Sequence, residues 1–376
     1  MASLAGNYTQ SIAGHRTFVP KSLPPHLDFT PILHRAIEDA THLLGQVEMC
    51  RTLLPNAKLL IYSSLRREAL ASSTIEGTIA SADELIRFQI ADQSERQAVR
   101  EVANYTMALE WGCELGKTRP LDINFILGLH ERLLAGGRGA GRAGAFKTSQ
   151  NFIGTTSHAA IADALFVPPA PEDVLPLMSN LERYLNISNS EARIVQCALV
   201  HYQFETIHPF HDGNGRVGRL LIILQMIQLG LLSAPLIYPS VYFERTRDEY
   251  YSRLQAVREQ GAWVEWITFF TAAIIQQCRE TLTWTNTILQ LRAQLRLDIR
   301  DTRRRASLSI VLDAFFDEPV RSIRQIAEYA NIAYNSVQSA LDDLQTMGLV
   351  YEITGKQKGR VYACRPVLDA IFGHVQ

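Results

Sequence analysis

A polar loop of twelve residues set between two apolar helices constrains this chain more than any other feature. Ile194, Cys197, Ala198, His201 and Phe204 recur at helical spacing before it, and Leu220, Leu221, Leu224 and Ile227 after it. Gly230 stands where the second helix should close. The loop itself reads His208-Pro209-Phe210-His211-Asp212-Gly213-Asn214-Gly215-Arg216-Val217-Gly218-Arg219. Gly213 to Gly215 deliver the second helix by its N-terminus. There, free backbone N–H groups and the positive end of the helix dipole make an anion site.

The side chains suit a phosphate ligand. Gly213 and Gly215 let the backbone approach an anion with no side chain in the way. Arg216 and Arg219, three residues apart, point toward one ligand, and a guanidinium offers phosphate two parallel donors at any physiological pH. Asp212 is a hard oxygen ligand of the kind Mg²⁺ uses beside substrate phosphates. His208 has an unperturbed pKa of roughly 6.5, suited to proton abstraction near neutrality. Phe210, apolar inside a polar loop, is expected to anchor it in the core. Any one of these residues alone fits an ordinary inter-helix turn. Turn chemistry does not ask for all of them together.

The loop fits the pattern His-x-Phe-x-(Asp/Glu)-Gly-Asn-Gly-Arg-x-x-Arg, and here the chain resembles Fic-domain proteins, with every fixed position matched. The resemblance implies transfer of AMP from ATP to a hydroxyl of a target protein. His208 would deprotonate that hydroxyl and Asp212 would hold Mg²⁺. Gly213, Asn214 and Gly215 would cradle the α- and β-phosphates with help from Arg216, and Arg219 would take the γ-phosphate. Gly215 followed by Arg216 favours nucleotidyl transfer over the kinase chemistry of one relative.

A second motif lies upstream at Ser72-Ser73-Thr74-Ile75-Glu76-Gly77. It closes an apolar helical run, with Ser72 and Glu76 on one side and Gly77 ending the helix. A glutamate in a last helical turn faces the negative end of the dipole, at a cost of about 0.3–1 kcal/mol unless a cation compensates. The segment resembles the family's inhibitory motif (Ser/Thr)-x-x-x-Glu-(Gly/Asn). That resemblance implies that Glu76 pairs with Arg219, occupies the γ-phosphate position and leaves ATP an unproductive pose.

At 376 residues the chain exceeds one typical domain, and its 47% hydrophobic content is ordinary for a globular protein. No run approaches a membrane span, and no signal peptide opens the chain. Cys50, Cys113, Cys197, Cys278 and Cys364 are scattered and odd in number, so a reducing, cytoplasmic setting is expected, without disulfides or a zinc site. The net charge of −1 gives no global pull toward nucleic acid or membrane.

The expected fold is mainly α, a Fic fold with a β-hairpin flap and a C-terminal winged helix-turn-helix. Residues 1–30 read as an extended arm and 31–110 as a helical region holding the inhibitory helix at about 60–77, with Pro55-Asn56 restarting the periodicity. Further helices cover Ala98 to Leu115 and Ile123 to Leu134, and a glycine-rich stretch from Ala135 to Gly141 follows. The catalytic domain reads as 111–285. Its flap, 146–169, is a strand from Phe146, a turn and a return through Phe166; the resemblance implies that a target's backbone adds to it as an extra strand. Lys147 stands where the family suggests arginine. Tyr250 and Tyr251 match the family's tyrosine pair beside the nucleotide base. Trp263, Trp266, Phe269 and Phe270 read as helical core.

An arginine-rich linker is expected over 286–305. Within 306–376, Ile323 to Tyr329 and Tyr334 to Met347 read as helix-turn-helix and Leu349 to Cys364 as a hairpin, together resembling a winged helix. From Ala306 onward six basic residues face eight acidic ones. That balance argues against duplex binding and favours a dimerisation or docking role, with a homodimer expected. Lys356, Lys358 and Arg360 leave a basic wing open. The alternatives are a DNA-binding regulator that senses nucleotide, a different donor group, or removal of AMP at the same site.

Overall fold

The computed structural model describes residues 5–53, 57–91, 96–137, 139–154, 160–187, 191–302 and 304–372. The helix restart at Pro55-Asn56, Arg138 in the glycine stretch and Arg303 of the linker lie outside the described residues, as does the tip of the flap, 155–159. The molecule is mainly helical. The chain opens with strands β1 (Gly6–Gln10) and β2 (Arg16–Pro20) and continues through α1 (Pro31–Leu53), α2 (Lys58–Ile75), α3 (Ala82–Ala91), α4 (Gln97–Leu115) and α5 (Ile123–Leu133). Next come α6 (Pro171–Asn186), α7 (Arg193–Ile207), α8 (Asn214–Gln228), α9 (Pro239–Arg245), α10 (Arg247–Gln260) and α11 (Trp263–Asp298). The chain finishes with α12 (Arg305–Phe315), β3 (Val320–Ser322), α13 (Ile323–Ala330), α14 (Tyr334–Thr346), β4 (Val350–Glu352), β5 (Val361–Cys364) and α15 (Arg365–Phe372).

The centre is the pair α7–α8. Both helices are buried on nearly every side, so their apolar residues run almost all round and the usual amphipathic stripe is weak. α11 packs on α7 and carries α1 along its length, while α2 lies against α8, α9 and α4. Trp263, Trp266, Phe269 and Phe270 are all buried, and the Trp266 indole N–H donates to the Ala198 carbonyl at 2.9 Å. One continuous apolar cluster reaches from Phe18 to Ile371, so the C-terminal elements share the core of the catalytic ones.

The structure departs from the sequence reading in three places. The N-terminal arm is a two-stranded antiparallel sheet, with Gly6 paired to Pro20 and Gln10 to Arg16. Burial of Phe18 and a bond from its N–H to the Val167 carbonyl at 3.0 Å dock that sheet on the return limb of the flap. Among its described residues the flap shows a single antiparallel bridge, Ile153 to Phe166, where two strands were expected. Its residues spend their hydrogen bonds on the polar loop, as described below. The linker expected from residue 286 is absent up to Asp298, because Trp284, Ile288 and Leu295 are buried and carry α11 on as one helix of 36 residues. Only a short turn separates it from α12.

The last seventy residues hold α12, α13 and α14 against a three-stranded antiparallel sheet of order β3-β5-β4. Ser322 and Gln325 form a reciprocal cap at the start of α13. Asn331 closes that helix in the left-handed conformation. Among the described residues no helix is long and apolar enough to cross a membrane, and the five cysteines are free.

Candidate functional site

The polar loop leaves α7 at His208, which caps the helix with φ +51°. A left-handed histidine is uncommon and needs its surroundings to hold it. They do so by three clamps. Asn214 accepts from the Phe210 N–H at 2.8 Å and donates to the Phe210 carbonyl at 2.8 Å. Asn151, from the flap, donates to the His208 carbonyl at 3.2 Å and to the Phe210 carbonyl at 2.7 Å. The Lys147 N–H donates to the Pro209 carbonyl at 2.8 Å. Phe210 is fully buried and stacks on His130 with ring centroids 3.7 Å apart.

His130 on α5 is a site residue that motif reading missed. Its Nδ1 accepts from the Gly144 N–H at 3.0 Å, so Nε2 carries the proton and donates to the Asp212 carbonyl at 3.1 Å. Burial pushes its pKa down to about 4, which keeps that tautomer neutral. The sequence signal was available: a histidine on the apolar face shared by Ile126, Leu129 and Leu133.

Gly213 caps α8 with φ +78°, and Asp212 Oδ1 accepts its N–H at 2.6 Å. The other Asp212 oxygen has no hydrogen bond among the described residues, and the side chain is 46% exposed beside a cavity of about 370 Å³. A larger cavity of about 610 Å³ lies between α2, α9 and α15 and is lined by none of the loop residues. No cluster of three metal-ligating side chains exists among the described residues. A lone carboxylate with one free oxygen still fits Mg²⁺, which takes one or two protein oxygens when substrate phosphates and water supply the rest.

The two arginines of α8 go to different partners. Arg216 donates to Glu101 of α4 at 3.1 Å and reaches Asp212 at 3.4 Å; Arg216 and Glu101 are 4% and 6% exposed. Arg219 donates through Nε to the Ser72 hydroxyl at 2.8 Å and through one terminal nitrogen to the Ser72 carbonyl at 2.9 Å and to Glu76 at 2.7 Å. Burial would pull the Arg219 pKa down, but Glu76, Tyr250, Tyr251 and Glu205 around it together outweigh that and hold it above its usual value. Glu76 caps α2 and Gly77 leaves it at φ +83°. Arg247 donates to the Ile75 carbonyl at 3.1 Å, a second cation at that negative helix end. Gly215 makes the approach possible. A Cβ there would stand 2.2 Å from the Glu76 carboxylate.

His208 is half-buried, and its Nδ1 has no hydrogen-bond partner. Burial, then the charges of Lys147 and Arg258, push its pKa down to about 3. It is therefore neutral at physiological pH, the form that can accept a proton. Lys147 is buried, donates to Asn151 at 2.7 Å, and has its own pKa lowered by burial to about 7. It points into the loop rather than out of the flap. Glu205, one turn before His208, is a buried carboxyl with an unpartnered oxygen, pushed up to about 7 by burial.

Three residues expected to touch nucleotide are occupied otherwise. Asn214 and Arg216 commit their side chains to the loop and to Glu101, which leaves phosphate the backbone N–H groups of α8. Tyr250, expected beside the nucleotide base, is a core residue. The His201 Nδ1 donates to the Gly218 carbonyl at 3.1 Å, so its Nε2 accepts the Tyr250 hydroxyl at 2.8 Å, and Tyr250 stacks on Phe243. Tyr251 is 37% exposed with Arg247 over its ring, and is the member of the pair that a ligand can reach.

Residues 34–114 match the Fic/DOC family N-terminal region, and residues 120–226 match the Fic/DOC family. The protein adenylyltransferase fic-1 of Caenorhabditis briggsae is 33% identical over 161 residues, 42% of this chain and 28% of that protein. The protein adenylyltransferase Fic of Drosophila melanogaster is 31% identical over 192 residues, 49% of this chain and 36% of its own. The chain thus spans about a third of the length of the curated relatives it matches. A Fic family protein from Desulfovibrio desulfuricans G20 superimposes with a TM-score of 0.60 at 18% identity, over 91% of this chain and 98% of the other. A Fic domain containing signaling protein from Bacteroides thetaiotaomicron gives 0.53 at 19% identity, over 66% and 95%. Both structures share the fold.

Proposed function

The chain carries a Fic/DOC domain preceded by that family's N-terminal region, and from this premise we propose that it is a protein adenylyltransferase held in check by its own Glu76. The observation that carries the reading is the 2.7 Å pair between Glu76 and Arg219 at the mouth of an otherwise complete phosphate site. Bound ATP would place its α- and β-phosphates in the turn Gly213-Asn214-Gly215, on the N–H groups of Asn214 and Gly215. His208 would take the proton of a serine, threonine or tyrosine hydroxyl. That oxygen would attack the α-phosphorus, the bond to the β-phosphate oxygen would break, and pyrophosphate would leave as AMP stays on the target. Mg²⁺, where Asp212 holds it, would neutralise charge on the phosphates. Negative charge from the nucleotide would raise the depressed pKa of His208 toward the working range.

With Glu76 on Arg219, the Glu76 carboxylate would fill the place of a γ-phosphate and repel one. Residues 306–376 fit a winged helix in element order, and a target is expected to dock along the flap. Incubation of Glu76→Gly protein with target lysate and ATP labelled at the α- or the γ-phosphate tests the reading. Transfer of the α-label alone, faster than in the unmodified protein, is expected. Label from the γ-phosphate would mean kinase chemistry, and no gain in rate would mean that Glu76 is not the brake.

A further inference from the structure

The C-terminal unit carries more acidic than basic residues, which by itself speaks against nucleic acid. The structure changes the sign of that argument. Asp313 is held by Arg292 and Arg296 of α11, Asp343 by Arg304, and Asp317 by Lys58 and Arg321. Glu318 lies on Arg321 and Glu328 on Arg324. The Glu352 carboxylate accepts the Thr354 and Gly355 N–H groups at 2.8 Å each, which folds the turn between β4 and β5. Six of the eight acids from Ala306 onward are thus spent on cations from outside the unit, on neighbours within it, or on its own turn.

One face stays clear of them. α14 begins with Tyr334, Asn335 and Ser336, all exposed, and its first turn holds no acid. Beside it, the β4–β5 turn exposes Lys356 and Lys358, neither in an ion pair among the described residues. The Tyr362 hydroxyl first, and after it the charges of Glu352 and Asp342, raise the pKa of Arg360 at the base of the turn. Arg360 therefore offsets the one acid, Asp342, on the exposed side of α14. The opposite face of the sheet is closed, because Ala363 and Leu368 pack on Ile86 of α3 with Tyr351 and Ile353 alongside.

We propose that α14 and the β4–β5 turn form a docking face for duplex DNA, independent of the adenylyltransferase reading. A helix of 13 residues is about 20 Å long and fits a major groove about 12 Å wide. Tyr334, Asn335 and Ser336 present hydrogen-bonding side chains to base edges, with Asn335 able to pair both edge atoms of an adenine. Lys356 and Lys358 meet the phosphates beside the groove. With two free cations the non-specific part of binding is weak, so sequence preference rests on the α14 residues.

The test is fluorescence anisotropy of the full chain with a labelled duplex of about 25 base pairs, titrated at several salt concentrations. Binding is expected at about 50 mM salt, weakening with a slope that falls by about two when Lys356→Ala and Lys358→Ala are combined. Asp342→Asn should tighten binding. Asn335→Ala should leave random-duplex binding unchanged but remove the preference for sequences selected from a randomised duplex pool. Both lysines are exposed, so circular dichroism should show the fold unaltered. No binding at about 50 mM salt, equal affinity for single strands, or undiminished affinity in the double lysine variant would overturn the proposal. Label transfer by the Glu76→Gly protein, measured without DNA, reports on the adenylyltransferase reading separately.

Discussion

Arg216 and Arg219 leave α8 one turn apart and both end on a glutamate, yet the two pairs are built for different lives. Arg216 and Glu101 are sealed together, and Glu101 also accepts the Thr78 hydroxyl at 3.0 Å and the Gln97 amide at 3.3 Å. Removing one partner would strand a buried charge. The Arg219 pair is sealed on one side only: Arg219 is 1% exposed and Glu76 is 32% exposed. Arg219 would keep two bonds to Ser72 if Glu76 left, and Glu76 sits at the frayed end of a helix, followed by a left-handed glycine. On the proposed reading, asymmetric burial is what would let one ion pair be a strut and its neighbour a latch.

The largest expected effect lies outside both pairs and serves as their control. His208→Ala, made in the Glu76→Gly protein, should lower the transfer rate by about 10²–10⁴-fold while ATP affinity by calorimetry stays nearly constant. His208 stands off the backbone N–H groups and the arginines, so it serves the proton alone. A matching loss of ATP affinity would place it in the phosphate cradle and undo that division of labour.

The comparison itself breaks or holds on Glu101. Glu101→Ala should cost about 3–5 kcal/mol in chemical denaturation, because Arg216 remains buried without its counter-charge. Glu76→Ala should cost less, about 1 kcal/mol, since Arg219 keeps its two bonds to Ser72 and water can take the place of the part-exposed carboxylate. Equal losses would mean that both pairs are struts.

How far the sequence carried this distinction can be judged residue by residue. Loop spacing placed Asp212, Arg216 and Arg219, and the glutamate at a helix C-terminus asked for the cation it has. The partner of Arg216 was missed, although Glu101 shares a helical face with Tyr105 and Ala108, and an acid on a buried face is a signal in itself. Tyr250 was not told from Tyr251, although adjacent helix residues point about 100° apart and Leu254 and Val257 share the Tyr250 face. The flap was read as strands from its composition. Its first limb bonds to the polar loop through the Lys147 N–H and the Asn151 side chain and meets the return limb only from Ile153, a tertiary preference that local pattern does not contain. The boundary before the C-terminal unit was drawn at charge, but Trp284, Ile288 and Leu295 keep α11 helical through it.

A smaller effect separates a latch from a strut kinetically. Arg219→Ala removes the same ion pair as Glu76→Gly, yet it also removes the cation that would hold the γ-phosphate. Transfer at saturating ATP should therefore stay at or below the unmodified rate, while Glu76→Gly rises above it. Activation by both substitutions would show that Arg219 does nothing for the nucleotide and that the pair is only an obstruction.

The smallest expected effect concerns Lys147, a buried cation of the site with no carboxylate partner among the described residues. Lys147 bonds to the neutral Asn151 amide, and its charge lowers the His208 pKa after burial has lowered it first. Because burial sets the Lys147 pKa at about 7, the amine is charged throughout the acidic range where His208 titrates. Lys147→Met keeps an unbranched apolar stem and removes the charge. The His208 pKa should then rise, and the acid limb of kcat/KM, measured in the Glu76→Gly protein, should move to higher pH by up to about one unit, worth about 1.4 kcal/mol. The sign is fixed by the charge: losing a nearby cation can only favour the protonated imidazole. An acid limb that stays in place would mean that the group titrating there is not His208, and the lysine would then matter only as the clamp that holds Asn151 against the loop.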